Sequence, residues 1–503
     1  MYEYYAAFMR DNMIDLKFLF IDLKLLFIVN ILCIISIIFI ERKKPSEIIG
    51  WILVITFVPV VGFAMYLLVG ETTSRRMIVR FDNKMNSDRQ FRERRFDHSN
   101  DIARHESSLD DPYINKYRDM IMMNERHGSN LYTTDNNVKL FTNADEKYDS
   151  LYNDILNAEK SIHLLYFIFK SDKTGKKFIS LLAQKAREGV QVRLLYDTLG
   201  SLRTRFSSFR EIIEAGGKVC KFFPPINFLK INFRNHRKIV VIDGKIAYTG
   251  GMNIGDDYIG GHKRAKPWRD THLRVTGSCV NSIQERFIMD WHHISKEKIK
   301  FSDTDILSEY FPAPATASDG TSGIAAQVVS SGPDVETQYI KYSYMKMINN
   351  AKKYIHMQSP YFIPDDAFMT SLKMAVDSGV DVRLMIPGVP DKRFVYILTT
   401  SYMEDLLRSN VKVYLYNGFI HSKMFIMDGE VTSIGTSNID SRSFDLDFEI
   451  NMFFYDIDFS SKCERIFMSD VDNSTAISFE QVKNRGYIRK MLESLMRIFA
   501  PLL

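Results

Sequence analysis

Residues 236–244 read HRKIVVIDG, and residues 421–429 read HSKMFIMDG. In both stretches a Lys follows the His by two positions, and an Asp-Gly pair follows four apolar residues. The apolar run is typical of a buried strand, and Asp-Gly is typical of the turn that ends one. Alternate residues of a strand face the same side, so the His and the Lys of each stretch project together. The sequence therefore predicts two strands that each present one imidazole and one ammonium group.

The match between the two stretches continues downstream. Residues 250–253 read GGMN and residues 435–438 read GTSN, and the interval from His to Asn is the same in both copies. Such a pattern is a rare accident at ordinary composition, and its repetition in register is rarer still. We interpret the two copies as half-sites of one active site.

Two such half-sites suit chemistry on a phosphodiester. One imidazole can attack phosphorus to give a phosphohistidine, and the other can protonate the leaving oxygen and then deprotonate an incoming alcohol. Lys238 and Lys423, with Asn253 and Asn438 as neutral donors, can hold the non-bridging oxygens as negative charge develops. Ser437 gives the second half a hydroxyl donor that the first half lacks.

The surrounding sequence is also duplicated. Residues 155–163 (ILNAEKSIH) correspond to residues 348–356 (INNAKKYIH), and residues 189–194 (GVQVRL) correspond to residues 379–384 (GVDVRL). Each half alternates helical segments with apolar strands. This alternation predicts an α/β architecture of two related lobes with largely parallel strands.

These patterns divide the chain into five segments. A membrane anchor with two transmembrane helices is predicted in residues 1–70, and a basic juxtamembrane linker in residues 71–135. The two repeats occupy residues 136–311 and 324–503, and a Pro-, Ala-, Ser- and Gly-rich connector lies between them at residues 312–323. The second repeat ends in an amphipathic basic helix, which either packs on the core or lies in a membrane interface.

The membrane prediction rests on two apolar runs, at residues 25–40 and 48–69. A helix needs about 20 apolar residues to cross a bilayer, and the second run meets that length. A secretory signal peptide fits less well, because no small-residue cleavage site follows. The Arg-rich stretch after the second run favours a cytoplasmic catalytic part and would attract anionic lipid headgroups.

Composition narrows the function classes. The net charge of +5 is small for 503 residues, so the whole chain does not resemble a nucleic-acid binder. The four cysteines lie far apart without a CxxC pair, so they predict neither a zinc site nor a disulfide framework.

The paired motifs resemble those of the phospholipase D superfamily, and nearly the whole chain resembles one branch of it, the bacterial cardiolipin synthases. Beside the two N-terminal hydrophobic segments, five further stretches carry this resemblance: residues 268–272 (WRDTH), 331–333 (SGP), 360–364 (PYFIP), 440–444 (DSRSF) and 501–503 (PLL).

The resemblance implies two α/β lobes related by a pseudo-dyad, with the active site between them. It implies a reaction that joins two phosphatidylglycerols into cardiolipin and releases glycerol, without a metal or another cofactor. His236 is then the expected nucleophile and His421 the general acid and base, although the sequence alone leaves this order open. Asp243 and Asp428 complete the motifs and lie after their strands, where we expect them to support the site rather than contact phosphate.

Two acidic residues complete the expected site. Asp270 and Glu449 stand where the family has acidic residues, and each could hydrogen-bond a catalytic imidazole and fix its tautomer. The alternative for both is an ordinary surface salt bridge.

Four functions compete at this level. The first is cardiolipin synthesis in a bacterial cell membrane, on phosphatidylglycerol in the bilayer, by a multi-pass protein of open oligomeric state that also contacts the anionic membrane surface. Its nearest rival is a hydrolytic phospholipase D or another phosphatidyltransferase. A superfamily nuclease is disfavoured by the membrane segments, and we expect no nucleic-acid partner. A membrane scaffold that only binds anionic lipid would have no need of two imidazoles.

Overall fold

The computed structural model describes residues 27–35, 38, 45–58, 62, 66, 112–126, 131–223, 232–260, 265–295, 297, 308–313, 323–335, 337–498 and 500. The chain divides into a smaller unit, Met1–Ile78 with Asn227–Asn232, and a larger unit, Val79–Ile226 with Phe233–Leu503. Both half-sites belong to the larger unit.

The smaller unit is helical where it is described. Residues 27–35 are helical, and helix α1 is Pro45–Phe57. Apolar side chains such as Phe27 and Phe57 are exposed, at 65% and 79%. Within the described part of the chain, no helix is both long and apolar enough to cross a membrane. The rest of the two predicted apolar runs lies outside the described residues.

The larger unit is built on one 16-stranded sheet and two 2-stranded sheets. Its strands are, in chain order, β1 Thr133–Phe141, β2 Ser161–Tyr166, β3 Gln191–Asp197, β4 Lys218–Phe222, β5 Arg234–Asn235, β6 Ile239–Ile242, β7 Ile246–Gly250, β8 Trp268–Arg269, β9 His272–Thr276, β10 Ile324–Ser331, β11 Tyr354–Gln358, β12 Phe362–Ile363, β13 Asp381–Pro387, β14 Lys412–Tyr416, β15 Phe419–Ile420, β16 Met424–Met427, β17 Val431–Gly435, β18 Ile439–Asp440, β19 Asp447–Tyr455 and β20 Ser474–Ile477.

Helices cover this sheet. They are α2 Pro112–Arg126, α3 Ala144–Leu156, α4 Lys173–Arg187, α5 Arg210–Glu214, α6 Cys279–Ile294, α7 Tyr339–Asn350, α8 Asp366–Asp377, α9 Arg393–Ser401, α10 Met403–Arg408, α11 Ser441–Asp445, α12 Ile457–Asp472, α13 Phe479–Lys483 and α14 Tyr487–Ile498, with short 3-10 turns at Phe206–Phe209 and Asp256–Ile259.

The strand order repeats on either side of a central pair. β1 and β10 pair antiparallel in the middle of the sheet. Outward from them run β9-β7-β6-β2-β3-β4 on one side and β19-β17-β16-β11-β13-β14 on the other, with β20 added at the second edge. Two lobes of equal strand order joined edge to edge give the predicted duplicated α/β fold.

The prediction of largely parallel strands was wrong. Among the longer strands, parallel pairing is confined to β2, β3 and β4 and to their counterparts β11, β13 and β14. The two-residue strands β5, β15 and β12 also pair parallel, with β19, β8 and β18. The motif strands β6 and β16 instead form antiparallel hairpins with β7 and β17. The reason lies in the motif itself, because the short Asp-Gly turn after each strand returns the chain alongside it. Asp243 and Asp428 have the positive φ that such a turn requires, 53° and 55°.

Each lobe has its own hydrophobic core. In the first lobe, α4 begins at the side-chain cap of Asp172, whose carboxylate accepts the N–H of Gly175. Its buried stripe contains Phe178, Ile179 and Leu182, which recur at the spacing of one helix face. These side chains pack with the motif strand β6 in the same core.

The predicted linker at residues 71–135 is wrong in one part, because α2 belongs to the second lobe. Tyr117, Met120 and Ile121 lie on one face of α2 and are buried in the core of that lobe. Tyr117 also donates to Glu430 at 2.8 Å. The many charges upstream hid this apolar spacing of three and four residues, which is typical of a packed helix.

Candidate active site

Each motif histidine follows a short strand that pairs with the opposite lobe. β5, directly before His236, pairs parallel with β19, and the His236 N–H donates to the Phe448 carbonyl at 3.0 Å. β15, directly before His421, pairs parallel with β8, and the His421 N–H donates to the Arg269 carbonyl at 2.6 Å. Where each motif begins, a short strand of one lobe therefore pairs with a strand of the other lobe. This pairing fixes the backbone of each histidine at the boundary between the lobes.

The two acids directly follow the residues whose carbonyls accept these bonds, Glu449 after Phe448 and Asp270 after Arg269. Glu449 Oε1 lies 2.8 Å from His236 Nδ1, and Asp270 Oδ2 lies 2.7 Å from His421 Nδ1. Neither acid forms a surface salt bridge, because Asp270 is 1% exposed and Glu449 is 0% exposed. With Nδ1–H donated to a carboxylate, each imidazole is left with Nε2 for chemistry.

Burial controls the charge of the two imidazoles. Desolvation lowers the pKa of His236 to about 4, against the opposing charge of Glu449 and with a further lowering from Lys238. Desolvation and then Lys423 lower the pKa of His421 to about 4, against the charge of Asp270. Lys423 also lowers the pKa of His236, so the two half-sites act on one another. These pKa values keep both imidazoles neutral at neutral pH, as an attacking nitrogen must be.

The motif lysines are buried beside the histidines. Lys238 is 0% exposed and Lys423 is 2% exposed, and each Nζ donates to the carbonyl of its own motif histidine at 2.6 Å. Burial lowers the pKa of Lys238 to about 7, although Glu449 raises it. Burial lowers the pKa of Lys423 to about 8, although Asp270 raises it. An anion that enters the site would lie next to two ammonium groups that are only partly solvated.

The motif aspartates are placed away from the imidazoles. Asp243 accepts hydrogen bonds from the backbone N–H groups of Glu159, Lys160 and Ser161 at 2.7–2.9 Å, and it lies at the far end of β6 from His236. Six residues lie between the His and the Asp, and that length of extended chain spans about 20 Å.

Asp428 repeats this arrangement in the second lobe. It accepts the N–H groups of Lys352, Lys353 and Tyr354 at 2.8–2.9 Å. Both aspartates belong to the motifs, but in the structure each binds the loop before a core strand.

The predicted amide donors differ between the lobes. Asn253 is engaged within the first lobe, where its Nδ2 donates to Tyr258 at 2.6 Å and its Oδ1 accepts the Ile168 N–H at 3.0 Å. Asn438 Oδ1 is buried and accepts no hydrogen bond from the described residues. The Ser437 hydroxyl donates to the adjacent Asn438 carbonyl at 3.2 Å.

The two half-sites do differ in their hydroxyl donors, but the hydroxyl that contacts the site is that of Thr436 rather than that of Ser437. The Thr436 hydroxyl donates to the second oxygen of Glu449, so this carboxylate is held by two donors. The first lobe has Gly251 at the matching position, and a Cβ there would lie 2.0 Å from Asp270 Oδ1. The shorter Asp270 fills that space and takes its second bond from the Thr271 N–H at 2.7 Å. The sequence contained this signal, in the pairing of GGMN with GTSN.

Aromatic rings border both imidazoles. Phe167, directly after β2, meets the His236 ring edge to face at 4.9 Å between centroids. Trp268 and Phe419 lie 5.5 and 5.8 Å from the His421 ring. None of the three follows from the motif spacing, although their apolar surface explains the desolvation of the histidines.

Comparisons with known proteins agree with this geometry. A family model described as cardiolipin synthase, phospholipase D-like domain, matches residues 151–263 and 344–471, one in each lobe. A model of the phospholipase D-nuclease N-terminal region matches residues 28–71. A cardiolipin synthase of Listeria monocytogenes is 43% identical over 96% of this chain and 98% of its own length. A cardiolipin synthase of Staphylococcus aureus is 41% identical over the full length of both chains.

The chain belongs to the cardiolipin synthase family. Its members are phosphatidyltransferases of the phospholipase D superfamily. Among solved structures, a phosphatidylserine synthase of Haemophilus influenzae shares the fold, with a TM-score of 0.57 and 12% identity over 76% of this chain and 100% of that one.

A third buried lysine distinguishes the two half-sites of this family member. Lys147 on α3 is 0% exposed and donates to the Tyr166 hydroxyl at 3.0 Å. Burial lowers its pKa to about 7, although the charge of Asp270 raises it. At the matching position of the second lobe, α7 carries Ile340. Asp270, the carboxylate that holds His421, thus interacts with the charge of an additional lysine. The second lobe has no lysine at the matching position.

Proposed function

We propose that this chain joins two phosphatidylglycerol molecules into cardiolipin and glycerol, through a phosphohistidine formed at a single site shared by both lobes. One observation carries the proposal. Each imidazole is held at Nδ1 by a buried carboxylate of the opposite lobe, at 2.8 Å for His236 and 2.7 Å for His421. Two imidazoles oriented in this way supply one nucleophile and one acid-base group.

The first half-reaction breaks a phosphorus–oxygen bond. His236 Nε2 attacks the phosphorus of the first phosphatidylglycerol, and the bond to the glycerol headgroup breaks as the nitrogen–phosphorus bond forms. His421 in its imidazolium form donates a proton to the departing oxygen, so that glycerol leaves neutral. Lys238 and Lys423 stabilise the negative charge on the non-bridging oxygens.

The second half-reaction reverses these roles. His421, now neutral, takes the proton of a headgroup hydroxyl of the second phosphatidylglycerol. The resulting oxygen attacks phosphorus and releases His236, which restores the enzyme and leaves cardiolipin. The buried Asn438 Oδ1 has the chemistry to accept a hydrogen bond from a hydroxyl of that headgroup.

The acid role of His421 needs a proton, whereas burial lowers the pKa of this imidazole to about 4. A bound phosphodiester brings a negative charge beside the imidazole and thereby raises this pKa. Asp270 stabilises the imidazolium once it forms. Substrate binding thus supplies the protonation state that the first step requires.

The N-terminal segment is assigned the role of a two-helix membrane anchor, with the catalytic lobes on the cytoplasmic side. The apolar runs at residues 25–40 and 48–69 support this role, as does the basic stretch that follows them. Such an anchor would hold the active site close to a lipid substrate that remains in the bilayer. Contact with an anionic membrane surface follows from the same basic stretch.

The product assay separates synthesis from hydrolysis. The full-length protein in detergent is incubated with headgroup- and acyl-labelled phosphatidylglycerol, and the lipids and glycerol are resolved. Cardiolipin and glycerol in equal amounts are the expected products. Phosphatidic acid without cardiolipin would mean that water resolves the intermediate, and the chain would then be a hydrolase.

A further inference from the structure

The last helix of the chain presents its apolar side outward. In α14, five large apolar side chains share one face, because positions one, four, five and eight residues apart fall within less than half a turn. All five are exposed, at 81% for Tyr487, 71% for Ile488, 55% for Met491, 40% for Leu492 and 47% for Leu495. A helix that served only the fold would bury this face.

The polar side of the same helix holds it to the second lobe. Glu493 is 9% exposed and accepts the hydroxyl of Thr400 on α9 at 3.4 Å, and Arg485, just before α14, donates to the Thr400 carbonyl at 3.0 Å. Arg497 reaches Asp405 on α10 at 2.7 Å. Its guanidinium also lies over the Tyr402 ring at 4.6 Å. The attachment by polar contacts fixes the apolar face in its outward direction.

The active-site end of the sheet can be identified from the strands. Phe167 directly follows β2 and touches His236, so the carboxyl ends of the parallel strands lie at the site. α9 follows the carboxyl end of β13 and packs against α14. Within the intervening loop, Asp391 accepts the Tyr361 hydroxyl at 2.6 Å, and its charge raises the pKa of Lys423, which burial lowers to about 8.

The first lobe shows apolar side chains at the matching place. The segment after β3, which is the counterpart of β13, exposes Leu202 at 67% and Phe206 at 40%. α9 adds Phe394, which is 42% exposed. Exposed apolar residues therefore follow equivalent strands in both lobes, at the end of the sheet where the histidines lie.

We propose that the apolar face of α14, with Leu202 and Phe206 of the first lobe, inserts into the headgroup region of an anionic bilayer, so that the active site opens onto the lipid surface. Charge supports this partner. Residues 483–498 contain five Lys or Arg and a single acidic residue, Glu493. Basic amphipathic helices bind anionic interfaces by apolar insertion and by attraction of the headgroups.

A second copy of the chain is the weaker candidate for the same face. An isologous contact would place residues 483–498 of one copy against the same residues of the other, and so would bring two net positive segments together. Like charges at such short range oppose association. The functional reason for a membrane contact rests on the proposed function, because the proposed substrate is a bilayer lipid.

Local fluorescence tests the contact without relying on activity. Met491→Cys is introduced into the full-length chain carrying Cys33→Ser and Cys220→Ser, labelled with an environment-sensitive dye, and reconstituted in phosphatidylglycerol and phosphatidylethanolamine vesicles. The matched control is Met374→Cys on α8, because Met374 is 59% exposed. Lipids with a quencher just below the headgroup should quench the dye at 491 several times more strongly than at 374. Equal quenching at both positions, or quenching at 491 by a second labelled copy instead of by lipid, would overturn the proposal.

Kinetics tests the consequence for substrate access. The triple variant Ile488→Ser, Leu492→Ser and Leu495→Ser should lose about tenfold in kcat/KM on phosphatidylglycerol vesicles, since tenfold corresponds to only about 1.4 kcal/mol of binding. On short-chain phosphatidylglycerol below its micelle concentration, the variant should match the parent. An equal loss on both substrates would contradict a membrane contact. If the parent itself made no cardiolipin, the proposed function would fail, while the quenching result would still decide the contact.

Discussion

Glu449 Oε1 lies 2.8 Å from His236 Nδ1, although the two residues belong to different lobes. The mirror contact joins Asp270 Oδ2 to His421 Nδ1 at 2.7 Å. Each lobe thus contributes an imidazole to one half-site and a carboxylate to the other. Neither lobe alone supplies both members of the His236–Glu449 pair or of the His421–Asp270 pair.

The first prediction concerns this exchange. Glu449→Gln keeps the size of the side chain but removes the charge that stabilises the imidazolium and fixes its tautomer. We expect kcat to fall by about 100-fold or more, as when the carboxylate partner of a catalytic histidine is replaced by its amide. Asp270→Asn should act similarly. The measurement is cardiolipin formed per minute by folded protein.

The hydroxyl variant is the matched control for that experiment. Thr436→Val removes the second donor to Glu449 and preserves side-chain shape. Its effect on kcat should be smaller than that of Glu449→Gln, because the charge remains. A kcat for Glu449→Gln within twofold of the parent would mean that the carboxylate does not serve the imidazole.

The second prediction concerns alkaline pH. Lys238 and Lys423, with pKa values of about 7 and 8 in the empty site, bind phosphate only in their protonated form. As pH rises through this window the charge is lost, so kcat/KM should fall. Bound phosphate raises both pKa values, so the corresponding fall in kcat should come at higher pH. A pH profile of both constants checks this, and a kcat/KM that stays level up to about pH 9 would contradict it.

The third prediction separates the motif aspartates from the chemistry. Asp243→Ala leaves three backbone N–H groups without their acceptor and places a residue that disfavours positive φ at 53°. We expect unfolding to become easier by about 1–3 kcal/mol, with kcat of the folded fraction near that of the parent.

Asp243→Asn is the companion variant, since Asn tolerates the left-handed region and keeps one acceptor oxygen for the Lys160 and Ser161 N–H groups, while it loses the acceptor for Glu159. It should be destabilised less than Asp243→Ala. Thermal unfolding and activity are measured on the same samples. A large fall in kcat in Asp243→Asn without any loss of stability would argue for a direct catalytic role.

Much of this site could be predicted from sequence, because the half-sites are local. His236 and Lys238 are two residues apart on a strand, and the strand pattern alone puts them on one side. A supporting role for Asp243 was also expected from its place after the strand. The acids Asp270 and Glu449 could be named, but only the family pattern selected them.

What could not be predicted depends on pairing between distant segments. Nothing in Arg234-Asn235 indicates that they join Asp447-Phe448 of the other lobe, since strand pairs of two residues leave no pattern. The outward direction of the apolar face of α14 was equally hidden. A hydrophobic stripe shows that a helix has two faces, and the contacts of Glu493 with Thr400 and of Arg497 with Asp405 decide which face binds the lobe.

The fourth prediction concerns acid stability. His163 is 0% exposed, and burial lowers its pKa to about 3 from 6.5. Its neutral form therefore contributes stability that is complete above pH 6.5 and is lost as the pH falls towards 3. Between pH 7 and pH 5 the loss is about 2 kcal/mol, because each pH unit below the unfolded pKa costs about 1.4 kcal/mol.

The variant His163→Gln tests this assignment, because Gln does not titrate. It should be less stable than the parent at pH 7 and should lose less further stability between pH 7 and pH 5. His293→Gln, at a partly exposed position, serves as the control and should keep the parental pH dependence. Parallel stability curves for the parent and His163→Gln would mean that other groups cause the acid loss.

The most direct measurement is to trap the covalent intermediate. His421→Ala removes both the acid of the first half-reaction and the base of the second, so the phosphohistidine forms slowly and also breaks down slowly. Over a long incubation, acyl-labelled phosphatidylglycerol should leave its phosphatidyl group on the protein, and mass spectrometry should find it on His236. His236→Ala should carry no label, and His163→Gln should turn over like the parent at neutral pH. A label on another residue, or cardiolipin formed at more than about a tenth of the parental rate by either single alanine variant, would contradict one site shared by two histidines.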